Sequence, residues 1–177
     1  GKVAYAFSGL RSPYNHGNQP SLHIPWLFNF SGKPCLTQKW TRLICDEFYG
    51  TDGEHGYGYG QDEDQGQLGS WYVLSAMGLF DVQGGACSEP TYQIGSPQFD
   101  EIRIRMGRMN AGGRTFTIRT ENNSDKAYYV QSATFNGKPL DQCWLYRSDV
   151  YNGGELVLRM GEEPSDFWSD SKPAVSR

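Results

Sequence analysis

The chain has 177 residues, a formal net charge of −4 and a charged fraction of 20%, while 14% of its residues are aromatic. It carries no run of lysine and arginine, so it lacks the basic surface that nucleic acids or anionic membranes attract. No apolar run approaches the roughly 20 residues that a transmembrane helix needs. The sequence opens on Gly1 without an initiator methionine or a signal-peptide pattern, so we expect a processed chain or a fragment.

The cysteines and the glycosylation sequons bear on the compartment. The four cysteines have no CxxC spacing and no nearby histidine, which argues against zinc. Their even number permits two disulfides in any of three pairings, and reduced thiols are nearly as compatible. Two sequons, which begin at Asn29 and Asn122, favour a secreted protein. The cysteines are Cys35, Cys45, Cys87 and Cys143.

A loop rich in turn-forming residues opens the chain. Its run from Pro13 to Pro20, PYNHGNQP, carries amide oxygens and an imidazole, which suit a cation or the hydroxyls of a sugar. A solvated loop whose polar side chains satisfy the local backbone explains the run about equally well. His23 has the same ambiguity. The aromatic segment that follows, from Trp26 to Phe30, is interpreted as buried structure that could be helical.

Two helices are predicted next. The first begins at Pro34 and runs to about Tyr49, before Gly50. The second runs from about Gln65 to Leu79 and is apolar on most sides, so it must be enclosed by partners. Because two helices cannot enclose it, we expect further helices in a larger chain. One apolar face of the first helix is interpreted as core: Leu36, Trp40, Leu43, Ile44 and Phe48.

The acidic triplet Asp62, Glu63 and Asp64 stands immediately before the second helix. Asp64 and Gln67 have the spacing of a helix capping box, an interpretation that requires no catalytic function. Three adjacent carboxylates repel one another, however, and indicate a positive partner such as a metal, a basic side chain or the helix terminus. An EF-hand is excluded because the glycine and the final glutamate of its loop are absent.

The second half of the chain has the alternating pattern of strands. Apolar residues alternate with polar ones around Ile102, Ile118 and Leu158, and residues 128 to 135 lead into Asn136-Gly137, a strong hairpin signal. We therefore predict an α+β protein in which helices precede an antiparallel β-sandwich. Phe167 and Trp168 are expected to anchor the polar tail.

Six ordered runs resemble one family, the glycoside hydrolase family 92 α-mannosidases, and the similarity is to the C-terminal part of these enzymes. The family's members are calcium-dependent, exo-acting enzymes that invert the anomeric configuration. The resemblance implies that residues 1–82 supply the last helices of an (α/α)6 barrel, residues 83–161 a β-sandwich region and residues 162–177 a tail. The runs are HGNQP at 16–20, GKP with TQ at 32–38, DEDQGQ with WY at 62–72, IGSP at 94–97, QSAT at 131–134 and NGKPL at 136–140.

The resemblance also assigns roles to individual residues. Asp64 would be the direct general base, with Asp62 assisting, since an inverting glycosidase needs a carboxylate that activates water. Calcium ligands would be Asn18, Gln19 and Asp64. Sugar contacts are expected from His16, His23 and Glu63.

This chain departs from the family pattern at three points. Many family members have Glu at position 19 and Asn at position 62, where this chain has Gln19 and Asp62. The general-acid glutamate of the family lies upstream of anything matched here. We therefore expect activity on mannose-containing glycans only together with the N-terminal remainder of the enzyme, outside the cytoplasm.

Two other interpretations stay open. A non-catalytic carbohydrate-binding module with a structural calcium would explain the aromatic residues, the strands and the acidic cluster. In that case replacing Asp64 would change sugar binding rather than turnover. The third interpretation is a structural fragment whose acids only cap a helix.

Overall fold

Helices occupy the first part of the fold and two β-sheets the second, as in an α+β protein. The computed structural model describes residue 14, residues 16–50 and residues 66–171. Within these ranges the 3₁₀ helices are Gln19–Ser21 and Ile24–Ser31, and the α-helices are α1 (Pro34–Phe48), α2 (Gln67–Ala76), α3 (Arg108–Ala111) and α4 (Arg147–Tyr151). The strands are β1 (Leu79–Phe80), β2 (Thr91–Ile94), β3 (Glu101–Arg105), β4 (Thr115–Glu121), β5 (Tyr129–Phe135), β6 (Lys138–Pro139), β7 (Trp144–Tyr146) and β8 (Gly154–Gly161). None of the described helices combines the length and the apolarity that crossing a membrane requires.

Helix α1 confirms the predicted boundaries but not the predicted core face. Pro34 lies in its first turn, where a missing N–H costs nothing. The predicted stripe is wrong as a core, because Trp40 is 43% exposed and only Ile44 of the stripe is fully buried. The inward face is mostly polar instead, since it satisfies groups of the β-sheet half: the Gln38 side-chain oxygen accepts the N–H of Val130 at 3.0 Å.

Arg42 makes the second polar connection between α1 and the sheets. The residue is 5% exposed, and its guanidinium donates to the carbonyl of Pro97, to Asn123 Oδ1 at 3.3 Å and to the carbonyl of Ser124 at 3.1 Å. Burial lowers the pKa of Arg42 from its ordinary value. A helix that turns these groups inward has to leave its apolar stripe on the outside.

The aromatic segment before α1 is helical, as the sequence allowed, but only part of it is buried. Trp26 is fully enclosed and stacks on Phe80, with 5.3 Å between the ring centroids. Leu27 and Phe30 are 41% and 38% exposed, so their predicted burial is wrong. The short 3₁₀ helix can direct only one side towards the sheets, and Trp26 takes that side.

Helix α2 lies close to its predicted position, and its face with Leu68, Trp71 and Ser75 is buried as expected. Its N-cap is Gly66, whose φ of +90° is in the left-handed region and which has no side chain that could cap the helix. The predicted capping box does not match this start, because Gln67 is the first helical residue rather than the third, while Asp64 lies outside the described residues. Val73 is 56% exposed, so the helix is not enclosed on all sides here.

The two sheets share one hydrophobic core, formed by both sets of strands and by Trp168. The first sheet has the order β1-β2-β7 and the second the order β3-β4-β8-β5-β6. The prediction of a wholly antiparallel arrangement is wrong, because β4 and β8 are parallel. Strand β8 lies between β4 and β5, which run in opposite directions, so it must be parallel to one of them.

Smaller predictions for this half are confirmed. Asn136 and Gly137 both have positive φ, 51° and 76°, and form the tight turn between β5 and β6. Trp168 is 4% exposed and donates its indole N–H to the carbonyl of Leu140 at 2.7 Å, which anchors the tail.

All four cysteines are free thiols, so neither of the two disulfides that the sequence permitted is present.

Candidate functional site

The loop with the polar run HGNQP crosses the first turns of α2. The indole N–H of Trp71 donates to the carbonyl of Leu22 at 2.8 Å, and both residues are buried. The ring of His16 meets the same indole edge to face, with 4.3 Å between centroids. These contacts fix both ends of the loop segment 16–22 to the helix that follows the acidic triplet in sequence.

His16 lies at the centre of this contact and is completely buried. Its Nδ1 is 2.7 Å from the hydroxyl of Tyr14, and its Nε2 is 2.8 Å from the hydroxyl of Tyr49. The Tyr49 hydroxyl in turn donates to the carbonyl of Leu68 at 3.0 Å. Burial lowers the pKa of His16 to about 3, so the imidazole is neutral at physiological pH.

Asn18 and Gln19 have the opposite environment, because both side chains are exposed. Their backbone carbonyls accept the N–H groups of Ser21 and Leu22 and close a tight turn. Neither side chain makes a hydrogen bond in the described part of the chain. Two amide oxygens on a firmly held turn are suitable ligands for a hard cation such as Ca²⁺. His23 is half-buried just beyond them, and its carbonyl accepts the N–H of Trp26 at 3.0 Å.

The acidic residues of the predicted site, Asp62, Glu63 and Asp64, lie outside the described residues. Within residue 14 and the ranges 16–50 and 66–171, no group of three histidine, cysteine, aspartate or glutamate side chains could hold a metal. The structure therefore brings together His16, Asn18, Gln19 and the start of α2, and the predicted roles of all the site residues stay predictions.

An apolar groove of about 490 Å³ opens beside this site. Apart from Glu47, its walls are apolar or aromatic, and Tyr14 belongs both to the groove and to the hydrogen bond with His16. The groove is where the outward-facing stripe of α1 meets the 3₁₀ helix. The lining residues are Tyr14, Ile24, Pro25, Phe28, Trp40, Leu43, Ile44, Glu47 and Phe48.

Sequence reasoning missed the two tyrosines that hold His16. Tyr14 and Tyr49 are two and 33 residues away from it, and neither spacing is a motif. Tyr49 stands at the predicted end of α1. Its hydroxyl is a polar group beside apolar residues, and a tyrosine in such a place usually forms a hydrogen bond, which is how the sequence could have indicated its role.

Comparisons with known proteins identify the family. A profile of the Glycosyl hydrolase family 92 catalytic domain matches residues 3–162. A protein of Arthroderma benhamiae named an uncharacterized secreted glycosidase is 32% identical over 155 residues, which are 85% of this chain and 19% of that protein.

Solved structures give the same result. A family GH92 alpha-mannosidase from Bacteroides thetaiotaomicron, in complex with mannoimidazole, is 30% identical with a TM-score of 0.83 and covers 97% of this chain. A family GH92 inverting mannosidase from the same species is 30% identical with a TM-score of 0.80 and covers 99% of this chain. This chain spans 22% and 23% of their lengths. With most of its length matched by the family profile, the chain belongs to glycosyl hydrolase family 92.

Proposed function

We propose that this chain supplies the general base and the calcium ligands of an inverting exo-α-mannosidase. The observation that carries the proposal is the attachment of the loop 16–22 to α2 through Trp71 and Leu22. Asp64 precedes Gly66, the N-cap of α2, by two residues, and two residues of chain span at most about 7 Å. The exposed amides of Asn18 and Gln19 and the carboxylates of the triplet would then line one site.

The chemistry of this site is the hydrolysis of a mannosidic bond with inversion. Asp64 takes a proton from water, the water oxygen attacks the anomeric carbon, and the bond to the leaving-group oxygen breaks. A carboxylic acid protonates that oxygen; we assign this role to a glutamate outside the chain. Asp62 assists the base, and Glu63 and His23 contact the sugar.

The residues of the turn fit the cation that the resemblance implies. Asn18 and Gln19 offer neutral amide oxygens that are exposed and make no hydrogen bond in the described ranges. Asp64 would add the negatively charged oxygen that calcium sites require. Asn18, Gln19 and Asp64 would hold the ion, which would supply a positive charge for the hydroxyls of the mannose.

The rest of the enzyme is the partner we assign to the apolar groove. Ile24 and Trp40 are 39% and 43% exposed, and large apolar surfaces of this kind mark contacts with other polypeptide. This chain spans 19% of its curated relative, whose other segments are candidates for that contact.

We infer that residues 1–82 complete an (α/α)6 barrel and residues 83–161 form a β-sandwich region. A hydrophobic cluster around Ile44, Leu68 and Trp71 supports a separate helical part, although Leu79 and Trp168, from outside residues 83–161, pack in the cluster of the sheets.

A secreted location is part of the same proposal. The relative from Arthroderma benhamiae is named as secreted. Asn122 of the second sequon is exposed in a turn with φ of +61°, where it is accessible for glycosylation.

The test uses the complete gene product and mannobiose as substrate. We expect mannose release that a calcium chelator abolishes and added Ca²⁺ restores, with the β-anomer detected first by NMR. At saturating Ca²⁺, where loss of the Asp64 charge as a calcium ligand is compensated, Asp64→Asn should lower kcat at least about 100-fold, because a positioned base contributes at least that factor. Asp141→Asn, at an exposed carboxylate, is the matched control.

Two results would contradict the proposal. If the protein binds mannobiose without releasing mannose, and Asp64→Asn weakens binding, the carbohydrate-binding module replaces the enzyme. If Asp64→Asn and Asp141→Asn are both as active as the wild type, Asp64 is not the base. Intact mass under denaturing conditions establishes whether a second polypeptide contributes.

A further inference from the structure

We propose that His16 is a positioning residue: held between two tyrosine hydroxyls, its ring fixes the turn with Asn18 and Gln19 against α2. The inference rests on the proposed function, since it concerns the turn that would hold calcium. It gives His16 a different role from the sugar contact expected from the resemblance.

The hydrogen bonds assign the proton on the ring. The Tyr49 hydroxyl has a single hydrogen, which it donates to the carbonyl of Leu68. At its other contact this hydroxyl must therefore accept, so the proton of His16 lies on Nε2. Nδ1 is then the acceptor and receives the hydrogen of the Tyr14 hydroxyl. Both ring nitrogens are thus engaged by tyrosine, and the ring is completely buried.

This chain of hydrogen bonds connects three separate segments. Tyr14 and His16 belong to the loop, Tyr49 follows α1, and Leu68 is in the first turn of α2. The indole of Trp71 packs edge to face against the ring. Movement of the turn away from α2 would break at least one of these hydrogen bonds, so the clamp holds the backbone from which the side chains of Asn18 and Gln19 project.

The alternative is a histidine that only fills the core. Such a histidine would contribute to overall stability but not to the order of the turn or to calcium affinity. A direct sugar contact would instead change KM for the substrate. Three readouts separate these roles: amide exchange in the turn, calcium affinity, and KM at saturating calcium.

The experiment removes one hydroxyl from the clamp in the complete gene product. Tyr49→Phe keeps the ring and removes the acceptor of the His16 proton. Tyr72→Phe is the matched control, because its ring lies 4.8 Å from that of Tyr49 and its hydroxyl makes no hydrogen bond within the described ranges. Exchange is followed at the amides of Ser21 and Leu22, which close the turn. Calcium affinity is measured by titration calorimetry.

For Tyr49→Phe we expect exchange at these two amides to be about five- to tenfold faster and the calcium Kd to rise by a similar factor. The substitution removes two hydrogen bonds, to His16 and to the carbonyl of Leu68, and a factor of this size is the lower end of what two such bonds contribute. At saturating calcium, kcat and KM should return to wild-type values, and Tyr72→Phe should change nothing.

Several results would overturn the inference. Unchanged exchange in Tyr49→Phe would mean that the clamp does not hold the turn. A conservative His16→Gln variant with raised KM at saturating calcium and unchanged exchange would make His16 a sugar contact. If the wild type neither binds calcium nor releases mannose, the proposed function fails, while the exchange rates still decide whether the clamp orders the turn.

Discussion

The apolar groove predicts an unusually large effect for a substitution at an exposed position. Trp40 is 43% exposed, and a large aromatic side chain offers up to about 250 Å². Roughly 100 Å² of its surface is therefore available for burial by other parts of the enzyme. At about 25 cal/mol per Å², Trp40→Ser should lower the free energy of unfolding of the complete gene product by about 2.5 kcal/mol.

The control for this variant is Tyr151→Ser, because Tyr151 is 44% exposed and lies on α4, away from the groove. Both variants are compared by urea denaturation. Unfolding is followed by far-ultraviolet circular dichroism rather than by tryptophan fluorescence, because Trp40→Ser removes a fluorophore. If the groove stays open in the complete protein, Trp40→Ser should cost no more than Tyr151→Ser, because both variants then lose only surface that is already buried in the described structure. That result would refute the assignment of the groove to the rest of the enzyme.

Two further predictions concern covalent modification. When the complete protein is secreted by eukaryotic cells, peptide mass spectrometry should find glycan on Asn122 and none on Asn29, whose buried amide donates to Ile94 O at 3.0 Å; glycan on Asn29 would contradict the described burial. Iodoacetamide at pH 8 should label Cys87 before Cys45, because burial raises the pKa of the Cys45 thiol to about 12 and keeps it protonated; equal labelling would contradict this.

Local patterns predicted the elements of this fold well. The boundaries of α1, the position of α2 and the strands around Ile118 and Leu158 all follow from the spacing of apolar residues. The Asn136-Gly137 turn follows from the need for positive φ. In each case the determining interactions lie within one element or one hairpin, where sequence spacing reports them directly.

The orientation of α1 could not be predicted in the same way. Apolar residues normally face inward, but here the carbonyl of Pro97 and the N–H of Val130 need partners from the helix. An unsatisfied buried backbone group costs about 1–3 kcal/mol, so Gln38 and Arg42 are held inward. These contacts span 55 and 92 residues, a distance at which periodicity carries no information.

The parallel pairing of β4 with β8 escaped prediction for a related reason. Each strand alternates correctly on its own, and alternation says nothing about the direction of a neighbour. The insertion of β8 between β4 and β5 is a property of the whole sheet. The sequence therefore predicts the strands but not their order.

The candidate site has features that the local sequence predicts and others that depend on residues far apart in the chain. The polar run of the loop and the acidic triplet are visible in the sequence, whereas the clamp that joins the loop to α2 depends on Tyr49, 33 residues from His16. The start of α2 also bears on the function of the acids. Gly66 is the N-cap and Gln67 the first helical residue, so Gln67 does not stand at the third helical position that a capping box with Asp64 requires. The loop that carries Asn18 and Gln19 is held against the same helix through Leu22 and Trp71. Amide oxygens are thus brought to the helix whose start follows the triplet in sequence, which is why we favour a functional role for the triplet.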